Sequence, residues 1–365
     1  MQIPGTKLLR EFGITGKIIS AAPFGSGHIH RTFLVETDAH PLQKYIVQKI
    51  NTHVFPDPEK LMHNALIATT HVNKKRRNKT KDEIIRTPGF LQCRSGDHFF
   101  SDSEGNCWRI MLYIPDTGSY DKPQNRNQAG KAGAAFGAFI RILSDLDPRS
   151  LHNLLPGFHD IGIRWEQFQS ALEKDSLNRA TKSIPEINQV LKWKDQMLDY
   201  HRSLQDPALP LRVTHNDTKL NNVLFGQNGR DLWVVDLDTV MPGYIHYDFG
   251  DAIRTIANNA VEDDPDISGV RFNMDLFNAF SDRFLSQLQD IITREELQLL
   301  PFAPLYMTYL IGVRFLTDWL NGDLYYQTQR KLQNLDRTRI QLRLLSEMNA
   351  SKQRIEQDLY RLLPH

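Results

Sequence analysis

An α+β fold in two lobes, a small β-rich lobe followed by a larger helical one, is predicted by three features of this 365-residue sequence. The first 112 residues hold short β-branched or alternating runs broken by glycine, proline and polar turns. From Gln124 onward the apolar residues recur at helical spacing. Between these regimes stands a cluster of breakers, Pro115-Asp116-Thr117-Gly118, where the hinge should fall. The expected division is an N-lobe of residues 1–112, built on an antiparallel sheet, and a C-lobe of 113–365.

Taken in order, residues 6–13 read as a short helix closed by Gly13. Strands follow at 18–22 and 31–37, joined by Pro23-Phe24-Gly25-Ser26-Gly27, and a third strand spans 45–50. Leu61, Met62, Ala65, Leu66 and Thr69 have the spacing of a helix over 57–72. The basic run 74–81 lacks interleaved aromatics, so it reads as a solvated loop and not as a nucleic-acid surface. Strands recur at 89–92, 99–100 and 107–114. In the helical half, the small residues of 129–139 permit close helix packing in a core. A long helix over 184–204 stops before Pro207, and further helices fill 248–258, 273–289, 294–321 and 330–362.

Composition excludes several classes. Net charge is +1, so no global field argues for nucleic acid or an anionic membrane. Two cysteines, Cys93 and Cys107, are too few for a disulfide framework and lack metal-type spacing. The N-terminus carries no signal-peptide apolar core, and no run of 18 apolar residues occurs, so a reducing cytoplasm is the expected location.

The chemistry is concentrated in 213–238. His215-x-Asp217 is followed by Asn222, and an apolar hairpin then ends in Asp236, 19 residues after Asp217. Phosphoryl transfer from ATP needs this set: a carboxylate to orient the acceptor hydroxyl and take its proton, and an amide oxygen and second carboxylate to hold magnesium. Hard cations take oxygen ligands, and magnesium keeps some waters, so two protein ligands suffice. Asp217 is therefore the expected base, Asn222 and Asp236 the metal ligands, and His215 a brace behind the loop. Asp248-Phe249-Gly250 spells a kinase magnesium motif, but it opens a helical run and does not close a strand. Asp248 is expected to be an N-cap of that helix or a brace for the catalytic loop. The glycines at Gly25 and Gly27, with Ser26, can form a flap whose N–H groups approach phosphate. An adenine would bond to backbone near Leu112, Tyr113 and Ile114. Most kinases carry a lysine on the third strand; alternation puts Gln48 in that place and turns Lys49 to the other face. Lys219, two residues after Asp217, is expected to supply the missing charge at the γ-phosphate. His28-x-His30 has no third ligand nearby, which makes a metal site a poor fit, and His30 is expected to be a surface polar residue. His159-Asp160 is expected to be a loop contact and not a catalytic pair. Arg314 and Asp318, four apart on one helix face, either form an ion pair or place Arg314 in an acceptor pocket.

The blocks 23–29, 211–222, 236–243, 248–254 and 314–325 resemble the aminoglycoside phosphotransferase and choline kinase superfamily, and 23–29 and 314–325 are similar to its N-acetylhexosamine 1-kinase branch. The resemblance implies a protein-kinase-like fold, ATP and Mg2+ as cofactors, and an N-acetylhexosamine acceptor phosphorylated at the anomeric hydroxyl. It implies sugar contacts from His28, Asp217, Arg314 and Tyr325. Choline and aminoglycoside kinases of the same superfamily remain open as alternatives, as does a nucleotide-binding pseudokinase, since Gln48 departs from the usual pattern.

Overall fold

The computed structural model describes residues 5–25, 29–39, 42–76 and 84–362. The flap residues Ser26, Gly27 and His28 lie outside them, as does the basic run beyond Arg76. The chain opens with α1 (Thr6–Glu11), then β1 (Ile18–Pro23), β2 (Arg31–Thr37), β3 (Gln43–Lys49), α2 (Pro58–Arg76), β4 (Ile84–Arg86), β5 (Phe100–Ser101), β6 (Cys107–Leu112) and β7 (Thr117–Gly118). One antiparallel sheet takes the order β1-β2-β3-β6-β5. Alternation gives it two unlike faces. Phe33, Val35, Tyr45, Val47, Trp108 and Ile110 point outward and bury Leu8 and Leu9 of α1 and Phe12 just after it. Gln48 and Arg109 point the other way, where the Arg109 guanidinium reaches Met62 of α2. Lys49 lies over the Trp108 ring on the outer face, as alternation requires.

The helical half follows: α3 (Arg126–Leu143), α4 (Ile161–Lys174), α5 (Ile184–Leu204), β8 (Arg212–Thr214), β9 (Val223–Gly226), β10 (Asp231–Val234), β11 (Met241–Gly243), α6 (Ile245–Ile256), α7 (Met274–Leu288), α8 (Arg294–Leu299), α9 (Ala303–Asn321), α10 (Gln333–Ala350) and α11 (Lys352–Arg361). This is the small-sheet lobe and helical lobe that the sequence predicts. The stretch Arg294–Asn321 is apolar and long enough to cross a membrane by composition, yet 83% of its apolar window is buried inside the protein. Its larger part, α9, is the central core helix, with Tyr306, Tyr309, Leu310 and Val313 fully enclosed.

Several boundaries differ from the sequence reading. The helix expected over 57–72 runs on to Arg76, because Lys75 finds partners in the Ile142 carbonyl (2.9 Å) and Asp145 (2.7 Å). The start of the basic run is thus helix and not loop. Residues 89–92 form no strand; Leu91 N–H donates to the Ile110 carbonyl (2.8 Å) and Phe90 makes one bridge to Met111. The helix expected over 294–321 breaks into α8 and α9 around a 3-10 turn at Leu300–Phe302, where Pro301 has no N–H to continue the ladder. The helix expected over 330–362 is divided at Ser351.

Close packing of α3 on α7 is made possible by glycine. A Cβ on Gly137 would stand 2.6 Å from the Phe284 carbonyl oxygen, and one on Gly133 would stand 3.1 Å from the Phe284 nitrogen. Backbone cannot yield as a side-chain tip can. Gly137→Ala should therefore lower the unfolding free energy by about 1–3 kcal/mol, the range for overpacking, in a urea titration.

Candidate active site

The strand pair β8–β11 places the loop that begins at His215, with Thr214 opposite Met241. Asn216 turns the chain through the left-handed region (φ 64°), which asparagine tolerates better than most residues. Its side-chain amide donates to the Thr239 carbonyl (3.0 Å), and its ring of neighbours is closed by Gly243, where a Cβ would stand 2.8 Å from Asn216 Oδ1. Asp248 supports the loop from beneath: its carboxylate accepts from His215 N–H (2.8 Å) and Asn216 N–H (2.6 Å). The helix α6 already begins at Ile245 with Tyr244 as its N-cap, so Asp248 is the brace and not the cap. Burial pushes the Asp248 carboxyl up to about 6, against the two N–H bonds and the nearby His215. His215 packs its ring edgewise on Phe136 and Phe139. Its Nδ1 accepts from Asp217 N–H (3.3 Å), so Nε2 carries the proton donated to the Val235 carbonyl (3.0 Å).

Asp217, Lys219, Asn222 and Asp236 are brought together by this loop and the β9–β10 hairpin. Lys219 Nζ stands 3.0 Å from Asp217 Oδ1. Asn222 Nδ2 donates to Asp217 Oδ2 (3.1 Å) and to the Asp217 carbonyl (2.8 Å). Burial works against charge on Asp217, but chiefly the Lys219 ammonium holds its carboxyl below the usual carboxylate range, so it is ionised as a base must be. The Asn222 carbonyl accepts from Val235 N–H (3.0 Å), which fixes Asn222 beside the end of β10. Asp236 follows there with φ 59°.

Asp236 and Asn222 fit a hard divalent cation. Among the described residues no group donates a hydrogen bond to the Asp236 carboxylate. Burial, then Asp238 and Asp217, push its carboxyl up to about 6, a cost that a bound cation would relieve. Asn222 spends its N–H2 on Asp217, which leaves its side-chain oxygen free to ligate a cation. No group of three His, Cys, Asp or Glu side chains among the described residues is placed to hold a metal. Two oxygen ligands with phosphate and water completing the shell is the magnesium pattern.

The other expected residues lie around this centre. Gln48 faces the cleft and Gly25 has φ 79° in open space. Leu112 is half exposed at the end of β6, and the Tyr113 ring meets Phe24 edge-on at 6.0 Å. Arg314 sits among three rings: Phe158 (4.9 Å), Tyr326 (5.6 Å) and Tyr325 (5.7 Å). It makes no ion pair with Asp318. The Asp318 carboxylate is taken up by the N–H groups of Leu324, Tyr325 and Tyr326 and by Asn334, and so it shapes the turn that carries Tyr325. His30 is not a surface residue: its Nε2 lies 2.6 Å from Asp238 Oδ2 and its ring stacks on Phe55. Asp160 caps α4, and the His159 Nε2–H donates to the Asn216 carbonyl (3.1 Å), a loop contact as expected.

Three features of the site escape the sequence reading. Arg109 is buried against Asp238; its signal is a lone charge in the apolar run Cys-Trp-Arg-Ile-Met-Leu. Arg164 approaches Arg314, and burial followed by that neighbouring charge lowers it to about 10. Glu262 is held by the fully buried Arg254, and no local pattern marks it.

His159 makes the loop sensitive to acid. Burial depresses it from 6.5 to about 3, so it stays neutral in the folded protein while the unfolded chain takes up a proton below 6.5. Stability therefore falls as pH drops through 6.5. Relative to wild type, His159→Gln should gain about 1.4 kcal/mol in unfolding free energy between about pH 7.5 and about pH 5.5. Urea titrations of both proteins at the two pH values measure this.

Residues 20–273 match the model of the phosphotransferase enzyme family (APH). The chain belongs to that family. Similar solved structures give this phosphotransferase a protein-kinase-like fold. A microcompartment-associated aminopropanol kinase superposes with TM-score 0.68 at 13% identity, covering 96% of this chain and 97% of that one. A spectinomycin phosphotransferase solved with ADP and spectinomycin gives 0.59 at 11%, covering 97% and 99%. Choline kinase from Cryptosporidium parvum Iowa II gives 0.55 at 14%, covering 94% and 91%.

Proposed function

We propose that this phosphotransferase is an ATP- and magnesium-dependent kinase that phosphorylates N-acetylhexosamines, N-acetylglucosamine or N-acetylgalactosamine, on the C1 hydroxyl. The observation that carries the acceptor reading is the setting of Arg314. A quaternary ammonium group would need an aromatic cage, and here the rings of Phe158, Tyr325 and Tyr326 already enclose the protein's own guanidinium. A polycationic aminoglycoside would meet Arg314, Arg164 and Lys219. A neutral acceptor rich in hydroxyls instead gains hydrogen bonds. The resemblance of 23–29 and 314–325 narrows that acceptor to an acetamido sugar, held by His28, Arg314 and Tyr325.

The proposed roles are these. ATP lies between the small sheet and the helical half, with the flap that begins at Gly25 expected over its phosphates. Tyr113 N–H is spent on the Lys44 carbonyl (3.1 Å) and the Ile114 carbonyl accepts from Thr117 (2.9 Å). The Tyr113 carbonyl and Ile114 N–H are left for the adenine edge, beside the Leu112 side chain. Asn222 and Asp236 hold magnesium, which offsets charge on the phosphates. Asp217 orients the anomeric hydroxyl, the most acidic on a free sugar, and takes its proton. Lys219 meets charge on the transferring group.

A coupled ADP-release assay across free hexoses, N-acetylhexosamines, choline and kanamycin tests the reading. N-acetylhexosamines should turn over best, and phosphorus–proton coupling should connect the product phosphate to H1. Coupling to the H6 pair would make this a 6-kinase, and equal turnover of glucose or galactose would remove the acetamido specificity. Arg314→Ala should raise the acceptor KM about 10-fold or more, the scale for an unpaired polar group in a pocket, and leave the ATP KM nearly unchanged.

A further inference from the structure

Antiparallel register sets Thr32, Gln48 and Arg109 side by side across β2, β3 and β6. The row is bonded throughout. Gln48 Nε2 donates to Thr32 Oγ1 (3.0 Å), and Arg109 Nε donates to Gln48 Oε1 (2.9 Å). The two remaining Arg109 nitrogens grip Asp238, at 2.5 Å to Oδ1 and 2.6 Å to Oδ2. This fork-to-carboxylate geometry is the strong, directional form of an ion pair. His30 closes on the same carboxylate at 2.6 Å, and His30 Nδ1 accepts from Asn51 N–H (3.0 Å). Arg109 is 2% exposed. A guanidinium so deeply buried is costly to desolvate, and a methionine would fill the same space at lower cost, so packing alone does not call for it.

Asp238 belongs to the 3-10 turn Leu237–Thr239, and Asp236 is the residue that begins it. The guanidinium therefore fastens the turn carrying Asp236 to the sheet above the cleft. We infer that Arg109 is a positioning residue of the phosphoryl-transfer site: a buried cation on β6, beside the third-strand position held by Gln48, fixes the Asp236 turn through Asp238. This rests on the ATP- and magnesium-binding reading above. Gln48 then has a reason to be neutral, since a lysine in its place would press a second cation against Arg109.

The test uses the full chain and two readouts: the ATP Kd measured calorimetrically with and without magnesium, and kcat with the best acceptor. In wild type, magnesium should tighten ATP. Arg109→Met should weaken that magnesium-dependent gain by about 10–100-fold, the scale for a partner that orients a metal ligand, with metal-free ATP binding nearly unchanged. Gln48→Lys alone should be impaired. Gln48→Lys/Arg109→Met should recover most of the gain and of kcat, because the lysine can reach Asp238. A merely structural arginine predicts no such rescue. Should Arg109→Met fail to fold, Asp238→Asn keeps the volume and should show the same loss. An unchanged magnesium gain in either single variant, or a folded double variant no better than Arg109→Met, would overturn the inference while leaving the kinase reading intact. Wild type that binds no ATP under either condition would overturn both.

Discussion

Asp217→Asn should abolish turnover while the protein stays folded and binds ATP. The amide keeps the volume of the carboxylate and can still meet Asn222, which stands 3.1 Å from Oδ2. It cannot accept the proton of the acceptor hydroxyl. A positioned general base contributes about 10²–10⁴-fold, so kcat should fall by at least that much. The loop itself should survive, because Asp248, Thr239 and His159 hold its backbone independently of the Asp217 side chain. Steady-state kinetics, calorimetric ATP binding and a thermal melt measure the three quantities. A variant that retained more than roughly a tenth of wild-type kcat would remove Asp217 from the base role.

Lys219→Met should lower kcat far more than it weakens ATP binding, by about 10²–10³-fold if the ammonium meets charge that builds up only in the transition state. Burial disfavours the charge on Lys219, yet Asp217, Glu262 and Asp251 together hold its pKa above the usual lysine value. It is a fixed cation beside Asp217. Lys49→Met should do little, since Lys49 lies over Trp108 on the far face of the sheet. The reverse ordering of the two variants would refute the assignment.

Much of the fold was legible because its signals are local. Alternation along β2, β3 and β6 located the sheet and predicted which way Gln48 and Lys49 point. The spacing of Asp217, Asn222 and Asp236 identified the loop and hairpin, since a short strand with a turn leaves little freedom between them. What stayed hidden depends on distant partners. β4 is three residues long, too short for a periodic signal, and exists only because β10 lies alongside. His30 looks like an exposed polar residue until Asp238, over two hundred positions later, arrives beside it. Arg109 and Asp238 are 129 residues apart, and neither carries the mark of the other. Arg314 and Asp318 have ion-pair spacing, but backbone N–H groups of the following turn claim the carboxylate first.

The placement of β4 bears on how this molecule can open. It precedes the hinge in sequence, yet it pairs in parallel with β10 of the β9–β10 hairpin, where Arg86 holds Asp231 at 3.0 Å and covers Trp233. Just before it, α2 buries Ala65, Ala68 and Val72 in the core of the helical half. After it, the chain returns to the small sheet through β5 and β6 and crosses again at 113–116. Three crossings thus join the halves. Swinging them widely apart would tear β4 from β10 and pull α2 from its seat, so a bend in one linker is not enough. Entry of nucleotide and escape of spent product must then work through smaller motions of the cleft's edge, and a single backbone cut at 113–116 would leave the two halves clasped.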